Sequence, residues 1–130
     1  TSIDIDQCIE QMQESGAESV IAVHQLDDYH PARIKKIENG RLVDFCVDEP
    51  AETRRQDLTP RAYIRSGSIY CMTRDFLVEK GLRYESKVSR PHILPPERAL
   101  NIDQEIDFLL AESVLAATES GAGSEMGDEV

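Results

Sequence analysis

Ile5, Cys8, Ile9 and Met12 fall at i, i+3, i+4 and i+7, the spacing of one apolar helical face. Ser2 or Asp4 is placed to cap the start of this helix, and Gly16 to close it. Residues 19–23 form a continuous apolar run rich in β-branched side chains. Such a run predicts a strand buried on both faces, the habit of parallel sheets. Helix, glycine turn and buried strand make half of a βαβ unit whose preceding strand has no counterpart here.

From Arg33 the pattern changes. Residues 34–37 and 41–45 flank Glu38-Asn39-Gly40, a turn in which Asn-Gly supplies positive φ at little cost, so a hairpin is expected, polar on one side. Residues 48–60 mix acids, bases and flanking prolines and read as an extended loop or arm. Segments 62–65 and 68–72 are strand-like, interrupted by Ser66-Gly67. Thr73 can cap a short helix through Glu79 that ends at Gly81. Pro91, Pro95 and Pro96 break the chain into turns, after which 99–102 reads as a last short strand. Asp103 then opens a helix whose buried stripe is Ile106, Leu109, Leu110, Val114 and Ala117. Residues 119–130 are rich in Gly, Ser and acid, with little to bury, and are expected to be a disordered acidic tail. Alternating helices and strands with an inserted hairpin predict an α/β fold over residues 1–118.

Composition narrows the class. The 130 residues suit one domain with a modest core. No apolar run approaches the roughly 20 residues that span a bilayer, and no signal-peptide pattern opens the chain. Cys8, Cys46 and Cys71 are odd in number and far apart, which fits neither a disulfide framework nor a zinc knuckle and points to free thiols in a reducing cytoplasm. The net charge is -11, but all 14 Lys and Arg residues lie between Arg33 and Arg98. A net-positive middle between two acidic ends is either a mixed solvated surface or a pocket for an anionic ligand. Nucleic acid is disfavoured, because the bases come with almost as many acids, and no membrane association is expected.

Asn101 and Asp103 sit two apart at the end of the expected last strand, so their side chains share a face. Ligands of open α/β sheets bind at the carboxyl ends of strands. A carboxamide and a carboxylate oxygen there suit Mg²⁺, a hard cation that keeps several waters. Asp103 can equally cap the helix that follows, and the two roles are compatible. Arg54 and Arg55 offer planar forks for carboxylate or phosphate, of which at most one faces a given pocket; a solvated loop is the alternative. Arg33, after His30-Pro31, is a further anion contact of the same kind. His24, His30 and His92 lack metal-ligand spacing. Tyr63, Tyr70 and Tyr84 read first as packing residues.

Three stretches together carry a resemblance: HPARIKKIENGRL (30–42), TRRQDLTPRAYIRSGSIY (53–70) and PPERALNIDQEIDFLLAE (95–112). In order, spacing and wording they are similar to the acylneuraminate cytidylyltransferases and their legionaminate and pseudaminate relatives. The likeness covers nearly everything to about Leu115. It implies the C-terminal part of a Rossmann-like nucleotide-diphospho-sugar transferase fold, with a hairpin dimerisation arm at about 30–65. The implied activity joins CTP to a nine-carbon nonulosonic acid, giving a CMP-sugar and pyrophosphate with Mg²⁺ as cofactor, in a homodimer built through the arm.

By the same resemblance Asp103 with Asn101 matches the metal-binding acidic pair, and Arg33 a basic residue near substrate. Arg55 and Gln56 match an arm that reaches the neighbouring subunit's site, Arg55 in a catalytic role. Ser66, Gly67 and Tyr70 match the stretch lining the sugar site, and Tyr84 the wall around the N-acyl group. Asn101 stands where Asp is usual, removing a charge from the metal site, and Ser66 where Asn is usual. The family's N-terminal strand and its Gly-, Arg- and Lys-containing phosphate loop have no counterpart in these residues. The resemblance therefore implies a fragment inactive by itself. A non-catalytic dimerisation or binding module derived from the family is the alternative.

Overall fold

A computed structural model describes residues 1–26, 28–50 and 54–122, with side chains described to residue 118. It is a mixed α/β structure with a small mixed sheet and three helices. The first helix, α1 (Ser2–Ser15), leads through Gly16 into β1 (Ser19–Gln25). A two-stranded hairpin follows, β2 (Lys35–Glu38) and β3 (Arg41–Asp44), then β4 (Tyr63–Met72) and the short α2 (Arg74–Val78). The chain continues with β5 (Arg90–Ile93) and ends its described part in α3 (Glu105–Ala122).

The buried run is the centre of the sheet. β1 pairs antiparallel with β4 on one side and parallel with β5 on the other, so the sheet is mixed. Val20, Ile21 and Ala22 are buried, as a central strand covered on both faces requires. Ala22 packs with Leu94, Ala99 and Ile69. Segments 62–65 and 68–72 are one strand rather than two: a register shift opposite Ala22 lets residues 66–69 bulge, with Gly67 at φ +76°.

Asn39 and Gly40 both take positive φ, the signature of a type I′ turn, and set Ile37 opposite Leu42 in the hairpin. Thr73 caps α2, its hydroxyl accepting from the Phe76 amide at 3.2 Å. Phe76 is fully buried.

Other expectations are corrected. The N-cap of α1 is Thr1, and Asp4 stands in the first turn, not at the cap. Residues 99–102 form no strand; a 3₁₀ turn at Pro96–Arg98 precedes them, and the place beside β1 is taken by Arg90–Ile93. Pro91 is tolerated there because β5 is an edge strand. Asp103 does not cap α3: the Asp107 carboxylate accepts from the Asp103 and Gln104 amides at 3.0 and 2.8 Å. Ile106, Leu109, Leu110 and Ala117 of the expected buried stripe are exposed; Val114 of that stripe is half-buried, as is Ala111. The α3 helix runs through residues 119–122, and residues 123–130 of the expected tail lie outside the described residues, as does Thr53 of the arm motif.

Candidate functional site

The structure distributes the sequence-predicted site residues over three places. The first joins two distant stretches. The β4 bulge brings Gly67 under Asn101, so that a Cβ at Gly67 would lie 3.9 Å from Asn101 Oδ1. Asn101 Nδ2 donates to Asp103 Oδ2 at 2.5 Å, so the two side chains meet although no strand holds them. Beside Gly67, Ser66 is buried and its hydroxyl shares a 2.6 Å hydrogen bond with that of Ser68.

The two residues implied for Mg²⁺ offer Oδ1 of Asn101 and the carboxylate of Asp103, hard oxygens on an exposed rim. One Asp103 oxygen already accepts from the amide. Among the described residues no three His, Cys, Asp or Glu side chains cluster to hold a metal ion. The pair therefore fits Mg²⁺ as a partial site, with water and substrate oxygens completing the shell, which is how this ion is commonly held.

The second place is a cleft of about 340 Å³ between the end of β1 and the start of β4, lined by Gln25, His30, Arg55, Gln56, Thr59 and Arg61 among others. His30 is buried and fixes one wall. Its Nδ1 accepts from the Ala32 amide at 3.2 Å, which leaves Nε2 as the donor to the Pro60 carbonyl at 2.9 Å. That pairing explains the histidine of the His-Pro dipeptide as a structural pin. Arg55 is ion-paired with Asp28 at the exposed mouth. Arg61 was not anticipated from sequence; the only signal was its position after Pro60, within the same motif as Arg55.

The third place is the sheet face opposite α1. Tyr70 pairs with Ile21 and Arg65 with Val23 across the strands, which puts all four side chains on that face. The Arg83 guanidinium lies 5.9 Å from the Tyr70 ring centroid, and that of Arg65 5.4 Å from the Tyr84 ring. Ile21, Val23, Arg65, Tyr84 and Arg90 border a hollow of about 90 Å³.

Arg33 joins none of these. Its Nε lies 3.6 Å from Glu49, whose other oxygen takes the Lys35 ammonium at 2.8 Å. Lys35 also binds Asp44, holding that carboxyl below its ordinary range and its own ammonium above. These contacts tie the hairpin base to the loop after it.

Among the described residues the most buried charge lies outside the predicted set. Asp4 accepts from the Thr1 amino group at 2.9 Å and its hydroxyl at 2.7 Å, from Arg98 at 3.1 and 3.2 Å, and from His92 at 3.3 Å. Donors from Thr1, Arg98 and His92 outweigh the cost of burial and hold Asp4 well below the usual carboxylate range. This node fastens α1 to β5 and to the turn before Asn101. No protein-family model matches the chain, and no curated protein matches it at a significant level.

Proposed function

We propose that this chain supplies the sugar-acid and metal side of a nucleotidyltransferase of the acylneuraminate cytidylyltransferase kind. In that reading it is the C-terminal half of a Rossmann-like domain. The observation that carries the reading is the approach of Gly67 to Asn101, whose side chain donates to Asp103, between two of the stretches that carry the resemblance.

In the proposed reaction the anomeric oxygen of a nonulosonic acid attacks the α-phosphorus of CTP. The bond to the β-phosphate oxygen breaks, pyrophosphate leaves, and the hydroxyl proton passes to solvent. Little covalent chemistry falls to the protein, so position and charge decide the rate. Bound at Asn101 and Asp103, Mg²⁺ would supply neutralisation of phosphate charge. Gly67, bare of a side chain, lets a sugar approach the β4 backbone, and the exposed Ser68 hydroxyl, held by the buried Ser66, offers a polar contact to its hydroxyls. Arg55 and Gln56 are assigned to the partner's site through a dimer arm, with Asp28 holding the Arg55 guanidinium until an anion replaces it. Tyr84 is assigned by the resemblance to the wall around the N-acyl group and Tyr70 to the sugar-lining stretch, each beside an arginine on the sheet face opposite α1, and Arg33 acts by bracing the arm.

The test is pyrophosphate release from CTP and Mg²⁺ with neuraminic, legionaminic and pseudaminic acids in turn, by protein that includes this chain together with a phosphate-binding half. Asp103→Ala is compared alongside and is expected to lower turnover at least about 100-fold, the scale of losing one preorganised charge contact. A second reading, a non-catalytic module, is favoured by the single exposed carboxylate and the absence of a metal-holding cluster among the described residues. Release with no acid would favour it.

A further inference from the structure

Residues 99–104, which carry Asn101 and Asp103, lie between the Pro96–Arg98 turn and α3 in neither helix nor strand. Among the described residues, no backbone group of Leu100, Asn101 or Ile102 has a hydrogen-bond partner within the chain. A segment without ladder or turn bonds keeps one conformation only where its ends are fixed, because backbone freedom is the main cost of order. Here each end is fixed by a carboxylate that is not one of the candidate site's own.

The first works through Arg98. Its Nε and Nη2 donate to the two oxygens of Asp4 at 3.1 and 3.2 Å, a planar fork on a planar acceptor. Asp4 is 1% exposed, and His92 of β5 approaches its Oδ1 at 3.3 Å, so this carboxylate is locked between α1 and the sheet. The Arg98 amide donates to the Pro95 carbonyl at 3.0 Å, and Ala99 packs beside Ala22 and Leu94. The upstream end is thus tied to the body by charge and by burial.

The second is Asp107, the third residue of α3. Its carboxylate reaches back to the Asp103 and Gln104 amides at 3.0 and 2.8 Å, as an acid at this position does in a capping box. It fixes the backbone of Asp103 directly. Only Leu100, Asn101 and Ile102 then stand between the anchored ends. Where those ends are held decides whether Asn101 meets Asp103 at 2.5 Å and lies over Gly67. Asp4 is shut away from any ligand, and the Asp107 oxygen is taken up by two amides, so each acts through the backbone it holds.

We propose that Asp4, acting through Arg98, and Asp107 are positioning residues of the candidate site: they hold Asn101 and Asp103 against Gly67, so that the pair meets its ligand already formed. The proposal rests on the reading of that pair as the Mg²⁺ and sugar-acid site, and adds the residues that set its geometry. Removing an outer group of this kind typically lowers metal affinity about 10–100-fold.

The test uses the full ¹⁵N-labelled chain and two variants that spare the core. These are Arg98→Met, at a side chain 40% exposed, and Asp107→Ala, with Asp107→Glu as the conservative control. In the first two, the heteronuclear NOE of the amides of residues 100–103 is expected to fall and the Asn101 side-chain amide signal to move, while the Val20 and Ala22 signals stay in place. Asp107→Glu keeps a carboxylate within reach of the same amides and is expected to retain the unaltered pattern. Titrated with Mg²⁺ and followed at the Asn101 side chain, Arg98→Met and Asp107→Ala are each expected to bind at least about tenfold more weakly than the unaltered chain. Unchanged order at residues 100–103 in either variant, or unchanged Mg²⁺ affinity, overturns the proposal. An unaltered chain that takes up no Mg²⁺ at Asn101 sinks the proposed function instead, and the order of residues 100–103 in the variants still decides the positioning role.

Discussion

The sheet beneath α1 and the rim made of the hairpin and α3 draw on the same residue types, Ile, Leu, Val, charged pairs and a glycine turn, yet differ in what surrounds them. Under α1, Val20, Ala22 and Cys8 are shut away, and the buried Asp4 carboxylate accepts from Thr1, His92 and Arg98. At the rim, Ile37, Leu42, Ile106 and Leu109 face outward and the ion pairs are local. The difference is one of enclosure: the fully buried apolar side chains and the buried carboxylate gather where the sheet meets α1, whereas the hairpin and α3 leave apolar side chains exposed.

The largest expected break is Phe76→Ala, which empties a fully buried site and is expected to cost about 3–5 kcal/mol in denaturant unfolding. Asp4→Ala comes next, at about 2–3 kcal/mol, because Arg98 and His92 lose their shared acceptor. The sign of its pH dependence follows from its lowered pKa. A carboxylate depressed in the fold contributes stability that is present above its unfolded value, near 3.8, and lost as pH falls below it. The midpoint of thermal unfolding is therefore expected to fall between pH 5 and 2, and that slope to flatten in Asp4→Asn. Thr73→Ala removes the α2 cap and is expected to cost about 1 kcal/mol. Leu109→Ala, on the rim, is expected to change monomer stability by less than about 0.5 kcal/mol.

Thiol chemistry draws the same boundary without mutation. Burial first, then the neighbouring Cys71 and Asp4, push Cys8 up to about 11, whereas Cys46 is exposed. At pH 8 a thiol reagent is expected to label Cys46 promptly and Cys8 only on unfolding; prompt labelling of Cys8 would contradict a closed core.

What could be read from sequence follows the same divide. Elements set by local chemistry were legible: Asn39-Gly40 dictates its turn, Gly16 ends α1, Thr73 starts α2, and the run from Ser19 names the central strand. Features set by distant partners were not. The role of Asp4 depends on Arg98, 94 positions away. The cap on α3 passed to Asp107 because its carboxylate reaches back to the Asp103 and Gln104 amides, leaving Asp103 to Asn101. Pro91 argued against a strand, but an edge position needs no N–H from it. For the candidate site, Ser66, Gly67, Asn101 and Asp103 stood out in the sequence through the resemblance; the approach of Gly67 to Asn101 through a bulge did not, since a register shift leaves no periodicity to read.

The central claim is that the Ser66–Gly67 bulge and the Asn101–Asp103 pair form one ligand site. It is tested most directly by NMR on ¹⁵N-labelled chain, following the Gly67 backbone amide and the Asn101 side-chain amide as Mg²⁺ and a nonulosonic acid are added. Both signals, with that of Ser68, are predicted to shift together and saturate at one concentration. If they stay in place while signals elsewhere move, the site is not where this account puts it.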